Sequence, residues 1–231
     1  ASQTGQEFYR ELNDYSTESY VISFFGRLNY TLLNRYLLTL TVRNDGSSRF
    51  SPDNKWGLFP SAAFAWKINE EEFMQDQNLF SDLKLRLGYG VTGQQNLGSG
   101  DYPWMGRYSY SQAGANYYFG DQKISLIRPV AYDENLKWEE TTTVNAGLDF
   151  GFLNNRISGT FDVYSRTTSD LLNTVGIAAG TNFSNQLLTN VGELTNKGVE
   201  FSITGRPIVS KDLNWNLSYN VTYNKNEITK L

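Results

Sequence analysis

The sequence predicts an all-β protein, an antiparallel up-and-down meander of at least eight long strands. Three observations predict it: apolar and polar residues alternate through eight long segments, the connections between them are short and long by turns, and helical periodicity is nearly absent. Strict alternation marks a strand whose two faces meet different surroundings, because successive side chains point to opposite sides of the sheet.

The first segment, "VISFFGRLNYTL", sets Ile22, Phe24, Leu28, Tyr30 and Leu32 against Ser23, Arg27, Asn29 and Thr31. "RYLLTLTVR" sets Tyr36, Leu38, Leu40 and Val42 against Arg35, Thr39, Thr41 and Arg43. "WGLFPSAAFAWKI" places Trp56, Leu58, Ala62, Phe64, Trp66 and Ile68 on one face, and "DLKLRLGYGV" opposes Leu83, Leu85, Leu87, Tyr89 and Val91 to Asp82, Lys84, Arg86 and two glycines. After a long gap, "KWEETTTVNAGLDFGF" places Trp138, Val144, Ala146, Leu148, Phe150 and Phe152 opposite Glu139, Thr141, Thr143, Asn145 and Asp149. "RISGTFDVYSR" and "NKGVEFSITGR" continue the pattern with Ile157, Phe161 and Val163, then Val199, Phe201 and Ile203. "DLNWNLSYNVTYNKN" ends it, with Leu213, Trp215, Leu217, Tyr219, Val221 and Tyr223 alternating with Asn, Ser and Thr. Only "EEFMQDQNLF", residues 71–80, has the pattern of a short amphipathic helix.

The connections say what the two faces meet. "LNR", "LNN" and "PIVSK" are tight turns rich in Asn or containing Pro. The alternate connections are long: residues 44–55, about 45 residues from Thr92 to Lys137, and about 20 from Thr167 to Thr189. The connection at 69–81 is of middling length and falls on the short-turn end. A soluble β-sandwich shows the same alternation but has no reason to gather every long loop at one end. An outer-membrane barrel has that reason, and its strands need roughly 9 to 11 residues to cross the bilayer at a tilt. The meander therefore reads as part of a transmembrane outer-membrane β-barrel, apolar face to lipid and polar face to a wet lumen. Tyr30, Tyr36, Trp56, Trp66, Trp138, Phe152, Trp215 and Tyr223 lie near segment ends, as interfacial aromatic girdles require.

Composition narrows function. Of 231 residues, 15% are aromatic and 19% charged, where soluble domains run near a quarter charged. A net charge of −4 offers no basic field for nucleic acid. There is no cysteine and no histidine, which removes disulfides, thiol chemistry, histidine-based triads and most zinc sites. No enzyme activity, catalytic residue, cofactor or metal is expected. No apolar run reaches the length of a membrane helix, and "ASQTGQEFYR" has no signal-peptide pattern, so the chain reads as processed or cut from something longer.

The remaining motifs are weak. Gly88, Gly90 and Gly93 spell G-x-G-x-x-G, but an alternating strand precedes them and no helix follows, so they read as relief of crowding where a curved strand enters a loop. Asn29, Asn182, Asn216 and Asn220 head N-x-S/T triplets, three of them inside strands, and read as chance. Asn44, Asp45, Asp53 and Asn54 offer oxygen ligands for calcium without the spacing of a defined site, and a turn-rich loop explains them better. Glu139 and Glu140 point to opposite faces and are no catalytic pair. Loop aromatics suit sugar rings or apolar ligands, and Tyr102, Trp104, Tyr108, Tyr117 and Tyr118 are the candidate substrate-binding residues, with packing of a long ordered loop as the equal alternative.

Long stretches carry a resemblance: "SFFGRLNYTLLNRYLLTLTVRNDGSSRFSPDNKWGLFPSAAFAWKINEEEF", "LKLRLGYGVTGQQNLG", "NLKWEETTTVNAGLDFGFLNNRISGTFDVYSRTTSDLL" and "NVGELTNKGVEFSITGRPI". From about Tyr20 onward they resemble, in order, the barrel of SusC/RagA-type TonB-dependent transporters of the Bacteroidetes outer membrane. The resemblance implies a large barrel with an N-terminal plug and a TonB-contacting segment, and a SusD-like surface lipoprotein as lid. It further implies oligosaccharide or oligopeptide cargo. Plug, TonB-contacting segment and closing strands are absent, so residues 1–231 read as one partial barrel domain. A siderophore-type receptor, a passive porin and a soluble carbohydrate-binding β-domain are the alternatives.

Overall fold

The computed structural model describes residues 16–98, 101–110, 116–125, 127–178 and 184–231. The opening decapeptide and Asn182 lie outside them. Fourteen strands occur among the described residues: β1 (Val21–Leu32), β2 (Tyr36–Ser47), β3 (Trp56–Lys67), β4 (Phe80–Gln94), β5 (Arg107–Tyr110), β6 (Asn116–Phe119), β7 (Gln122–Ser125), β8 (Ile127–Val130), β9 (Glu139–Phe152), β10 (Ile157–Ser169), β11 (Leu172–Gly176), β12 (Gln186–Asn190), β13 (Glu193–Val209) and β14 (Asn214–Lys230). Eight of them form one antiparallel sheet in the order β1-β2-β3-β4-β9-β10-β13-β14, with β1 and β14 as its edges. The other six are short and pair as β5 with β8, β6 with β7 and β11 with β12.

The eight long strands coincide with the eight alternating segments. Their connections all obey the predicted asymmetry: 33–35, 68–79, 153–156 and 210–213 lie at one end, and the long stretches after β2, β4 and β10 at the other. Leu33 and Asn34 adopt left-handed backbone, as do Leu153, Asn154 and Asn155. Asn accepts that region readily. The leucines are held there because the strands on both sides continue their ladders without a gap, as Leu32 pairs with Tyr36 and Phe152 with Ile157.

Register sorts the faces from the short-turn end through the middle of the sheet. Across β4, β9, β10, β13 and β14 the apolar rows are Leu83–Phe150–Gly159–Ile203–Tyr219, Leu85–Leu148–Phe161–Phe201–Val221 and Leu87–Ala146–Val163–Val199–Tyr223. Toward the long-loop end the same face turns polar, through Tyr89–Val144–Ser165–Lys197–Lys225 to Val91–Thr142–Thr167–Thr195–Glu227. The interleaved rows of the other face include Arg86–Gly147–Asp162–Glu200–Thr222 and Lys84–Asp149–Thr160–Ser202–Asn220. On that face Asp149 joins Lys84 at 2.7 Å and Arg86 at 2.8 Å, and Arg86 reaches Asp162 at 2.9 Å. Gly147 makes room for this chain of charges, since a Cβ there would lie 2.7 Å from the Arg86 Nη2.

Among the described residues the sheet has no second layer over either face. The chain's accessible surface is 17115 Å², where a compact monomer of this mass shows roughly 10,600 Å². Only five hydrophobic side chains among the described residues are buried, and all five sit at the long-loop end. The large outward residues of β1 and β14, such as Phe24, Leu28, Leu217 and Tyr219, are exposed.

Two expectations change. Residues 71–80 form no amphipathic helix; the segment holds one single-turn 3₁₀ piece, Glu72–Met74, and another, Ile68–Glu70, precedes it. Tertiary bonding overrides the local pattern, because Glu71 accepts hydrogen bonds from the Tyr36 hydroxyl (2.6 Å), the Trp66 indole (2.8 Å) and Arg35 (2.7 Å), which leaves no continuous helical turn. Trp138 is no girdle residue: it precedes β9, where pairing has ended, and is buried against Phe50 and Phe59. Other girdle positions do form aromatic contacts at the strand ends. Tyr36 stacks on Trp66 at the short-turn end, and Phe24 stacks on Trp56 at the other.

The Glu71 clasp should titrate. Hydrogen bonds from Tyr36, then Trp66, together with Arg35, hold its carboxyl below the usual carboxylate range. A depressed folded value gives stability that is present above the unfolded pKa of about 4.3 and is lost as pH falls through the lower folded value. Urea midpoints of the chain in detergent should therefore drop on acidification below pH 4, and Glu71→Gln should flatten that part of the drop while lowering the neutral-pH midpoint. The glycines give a second, paired expectation. A side chain on Gly159 would press into the backbone carbonyl of Ser202 and lie 2.6 Å from Phe150, whereas Gly26 has nothing within 4 Å. Gly159→Val should cost about 1–3 kcal/mol by overpacking in the same urea titration, while Gly26→Val leaves the midpoint where it was.

Candidate functional site

The long-loop end holds the only buried hydrophobic cluster among the described residues. Phe50, Phe59, Leu97, Leu136 and Trp138 form it, with Val91, Trp104, Leu172 and Leu188 packed against it. Apart from Phe59 of β3 and Val91 of β4, these residues come from the three long connections, so burial joins loops that are remote in sequence. The Trp138 ring lies 5.0 Å from Phe50 and 5.4 Å, edge-on, from Phe59. A Cβ on Gly57 or on Gly93 would meet the Phe59 ring, so the last glycine of the G-x-G-x-x-G string relieves crowding at this cluster.

Polar contacts fasten the loops to one another. Trp138 donates its indole N–H to the Lys55 carbonyl at 3.2 Å. Asn190 bridges three segments: it accepts from the Lys137 N–H (2.8 Å) and donates to the carbonyls of Lys137 (2.9 Å) and Asp170 (2.8 Å). Lys137 also pairs with Asp170 at 2.8 Å, and the Thr189 hydroxyl donates to Asp133. Asn54 donates to the Asn135 carbonyl, while Arg49 pairs with Asp101 at 3.0 Å. Asp45 is buried and paired with Arg43 at 2.7 Å, so this loop carboxylate is already committed. Among the described residues no group of three or more acidic side chains is placed to hold a metal ion.

The five candidate aromatics separate into two sets. Tyr102 and Trp104 lie at the base: the Tyr102 hydroxyl donates to the Glu18 carbonyl, and Trp104 packs on the buried cluster. Tyr108 on β5, and Tyr117 and Tyr118 on β6, are exposed, and the Tyr117 ring lies tilted against Phe119 at 5.2 Å between centroids. The structure does not bring the five into one pocket. It carries the second set on two small hairpins whose four-residue strands are too short to show a period in the sequence.

A polar wall below the loops was not singled out by motif. Thr92, Thr141, Thr143, Arg166, Thr168, Asn196 and Asn226, together with Leu194, line a groove of about 500 Å³ on the polar face. The Thr141 and Thr168 hydroxyls share a hydrogen bond of 2.9 Å, and Arg166 lies 5.9 Å from the Tyr164 ring centroid. Hydroxyls, amides and one guanidinium can exchange hydrogen bonds with hydroxylated or amide-bearing ligands without binding any single group tightly. The available signal was the face alternation itself, since these residues occupy adjacent polar rows.

If the cluster organises the loops, removing its central ring should release them. Trp138→Ala is expected to cost about 3–5 kcal/mol locally, and limited proteolysis should then cut within 95–137 and 170–192 at protease levels that spare the parent. Equal protection in both proteins would show that the loops are held without the cluster.

Comparison with known proteins agrees with this architecture. A family model described as TonB dependent receptor-like, beta-barrel matches residues 2–230. The chain is 60% identical over 222 residues to the TonB-dependent receptor SusC of Bacteroides thetaiotaomicron, covering 96% of this chain and 22% of that protein. It is 41% identical over 211 residues to a TonB-dependent receptor of Formosa agariphila, covering 91% of this chain and 21% of that one. Among solved structures, the RagAB peptide importer in its open-open state superposes with a TM-score of 0.80 at 35% identity, over 92% of this chain and 22% of that one. The chain thus spans about a fifth of the length of the curated relatives it matches. It belongs to the TonB-dependent receptor-like β-barrel family, as a wall segment of a barrel that these eight strands do not close.

Proposed function

We propose that these residues are part of the wall of a TonB-dependent outer-membrane importer of oligosaccharides or oligopeptides that works with a SusD-like lid lipoprotein. The observation that carries the reading is an apolar band that runs along one face across the eight strands and ends short of the loops, together with long loops at one end only. From Phe152 to Val144 the apolar face of β9 runs roughly eight residue steps, about 27 Å, which a tilt near 40° reduces to about 21 Å, close to the roughly 25 Å lipid band of such barrels. Apolar surface lies against lipid, and the Thr, Asn and Arg wall lines the passage. The likeness to SusC and to the RagAB importer supports this assignment.

In this reading the short turns are periplasmic and the hairpin loops extracellular. Tyr108, Tyr117 and Tyr118 offer aromatic faces to cargo or lid, and Tyr102 and Trp104 fix the base from which those hairpins rise. Cargo then passes the wall of Thr143, Arg166 and Asn196, whose weak and numerous hydrogen bonds guide a ligand without trapping it. TonB engages the parent outside these residues, and no catalysis is assigned to them.

The test is uptake by cells expressing the full-length transporter, with panels of labelled oligosaccharides and oligopeptides. Uptake should require the energised TonB system and the lid protein. Arg166→Ala with Asn196→Ala should lower it on the order of tenfold, the loss of about one charge-assisted hydrogen bond. Energy-independent passage would indicate a passive channel, and uptake of iron chelates alone would indicate a siderophore receptor.

A further inference from the structure

At the short-turn end of the apolar face, a notch of about 480 Å³ is cut between β10, β13 and β14. Its cause is one missing side chain: in the row Ile157–Gly205–Leu217 the central residue is glycine, and a Cβ there would meet nothing within 4 Å. Leu153, Ile157, Ile203, Leu217 and Tyr219 line the rest of it with apolar surface. Pro207 and two arginines, Arg156 and Arg206, complete the lining.

Their placement is not a matter of simple alternation. The β13–β14 register shifts between Gly205 and Ile208, which takes Arg206 and Pro207 out of step with the strand. The Arg206 N–H then donates to the Arg156 carbonyl at 2.7 Å, which ties the two arginine backbones together beside the notch. Both arginines are exposed, and neither side chain has a hydrogen bond or ion pair among the described residues. The adjoining turn adds Lys211 and Asp212, whose charges cancel.

Two neighbouring cations at the end of an apolar slot are complementary to one ligand chemistry: an anionic head attached to a hydrocarbon chain. Guanidinium forks bind phosphate oxygens in pairs, and an acyl chain fills a furrow that a side chain leaves empty. We propose that the Gly205 notch, with Arg156 and Arg206 beside it, is a binding site for an anionic phospholipid of the periplasmic leaflet. This rests on the membrane reading above. Its consequence is that the periplasmic rim of the barrel holds a lipid of its own between β10, β13 and β14.

The test uses the full-length transporter, purified in detergent and titrated with phosphatidylglycerol or phosphatidylethanolamine of identical acyl chains, with retained lipid counted by native mass spectrometry. The wild type should hold phosphatidylglycerol on the order of tenfold more tightly than the zwitterionic lipid. Arg156→Gln with Arg206→Gln should abolish that preference, and Gly205→Leu should weaken binding with both arginines intact. Soluble glycerol phosphate should fail to compete. The proposal is overturned if the double variant binds as the wild type does, if Gly205→Leu has no effect, or if glycerol phosphate displaces the lipid. Heat-modifiable migration of the folded barrel is read in parallel. If migration is normal while the preference is missing, this site alone fails; loss of the detergent-dependent barrel itself overturns the membrane reading and this site together.

Discussion

Continuous backbone pairing through eight strands is the constraint on which the other features depend. Because side chains alternate with a period of two, a slip of one residue anywhere in the ladder would carry a whole strand's apolar set to the wrong face. A single-layer sheet has no opposing layer to correct such a slip. The register must therefore be specified within the sheet itself, and the polar face does so. Lys84, Asp149, Arg86 and Asp162 link three adjacent strands through side chains that meet only in the observed pairing. Each such pair contributes little where it is part exposed, but a shifted register would separate all of them at once.

Glycine sets the fine structure of both faces. On the polar face Gly147 accommodates the charge chain, and Gly198 leaves space for the Tyr164 ring across the strand pair. On the apolar face Gly159 is required by the close approach of β13, whereas Gly205 is surrounded by empty space and produces a notch. The same residue type thus serves close packing in one row and absence of packing two residues away along the neighbouring strand pair. The short-turn end is finished by the Glu71 clasp, and the long-loop end by the Trp138 cluster. The sheet is closed off at both ends by contacts that involve few of its own interior residues.

Much of this was legible in the sequence, for a physical reason. A strand with lipid on one side and water on the other must alternate, so all eight long strands announced themselves, along with the faces of the alternating residues within them, such as Phe161 and Val163 against Thr160 and Asp162. Loop asymmetry was equally plain. The segment 71–80 misled because the three donors that claim Glu71 come from Arg35, Tyr36 and Trp66, none of which is near it in a helical pattern. Trp138 misled because its spacing continues the strand although its pairing does not. The loop hairpins of β5 to β8 and of β11 and β12 are too short for periodicity, and the wall around Arg166 is defined only once five strands are in register. The five aromatics picked out by residue type divide between the base beside the buried cluster and the exposed hairpins, whereas the polar wall is defined by position on a face and required the sheet.

The central claim is that one face of the sheet meets hydrocarbon and the other meets water. Single cysteines are placed at each position from Ile157 to Ser165 of β10, in a full-length transporter freed of any other cysteine, and spin-labelled in a bilayer; the 231 residues of this chain contribute none. Collision with dissolved oxygen and with a water-soluble nickel chelate then reports the surroundings of each label. Odd-numbered positions should favour oxygen and even-numbered positions the chelate, with a period of two along the strand. Equal access to the chelate on both faces would contradict a lipid-facing wall and return the chain to a water-exposed sheet.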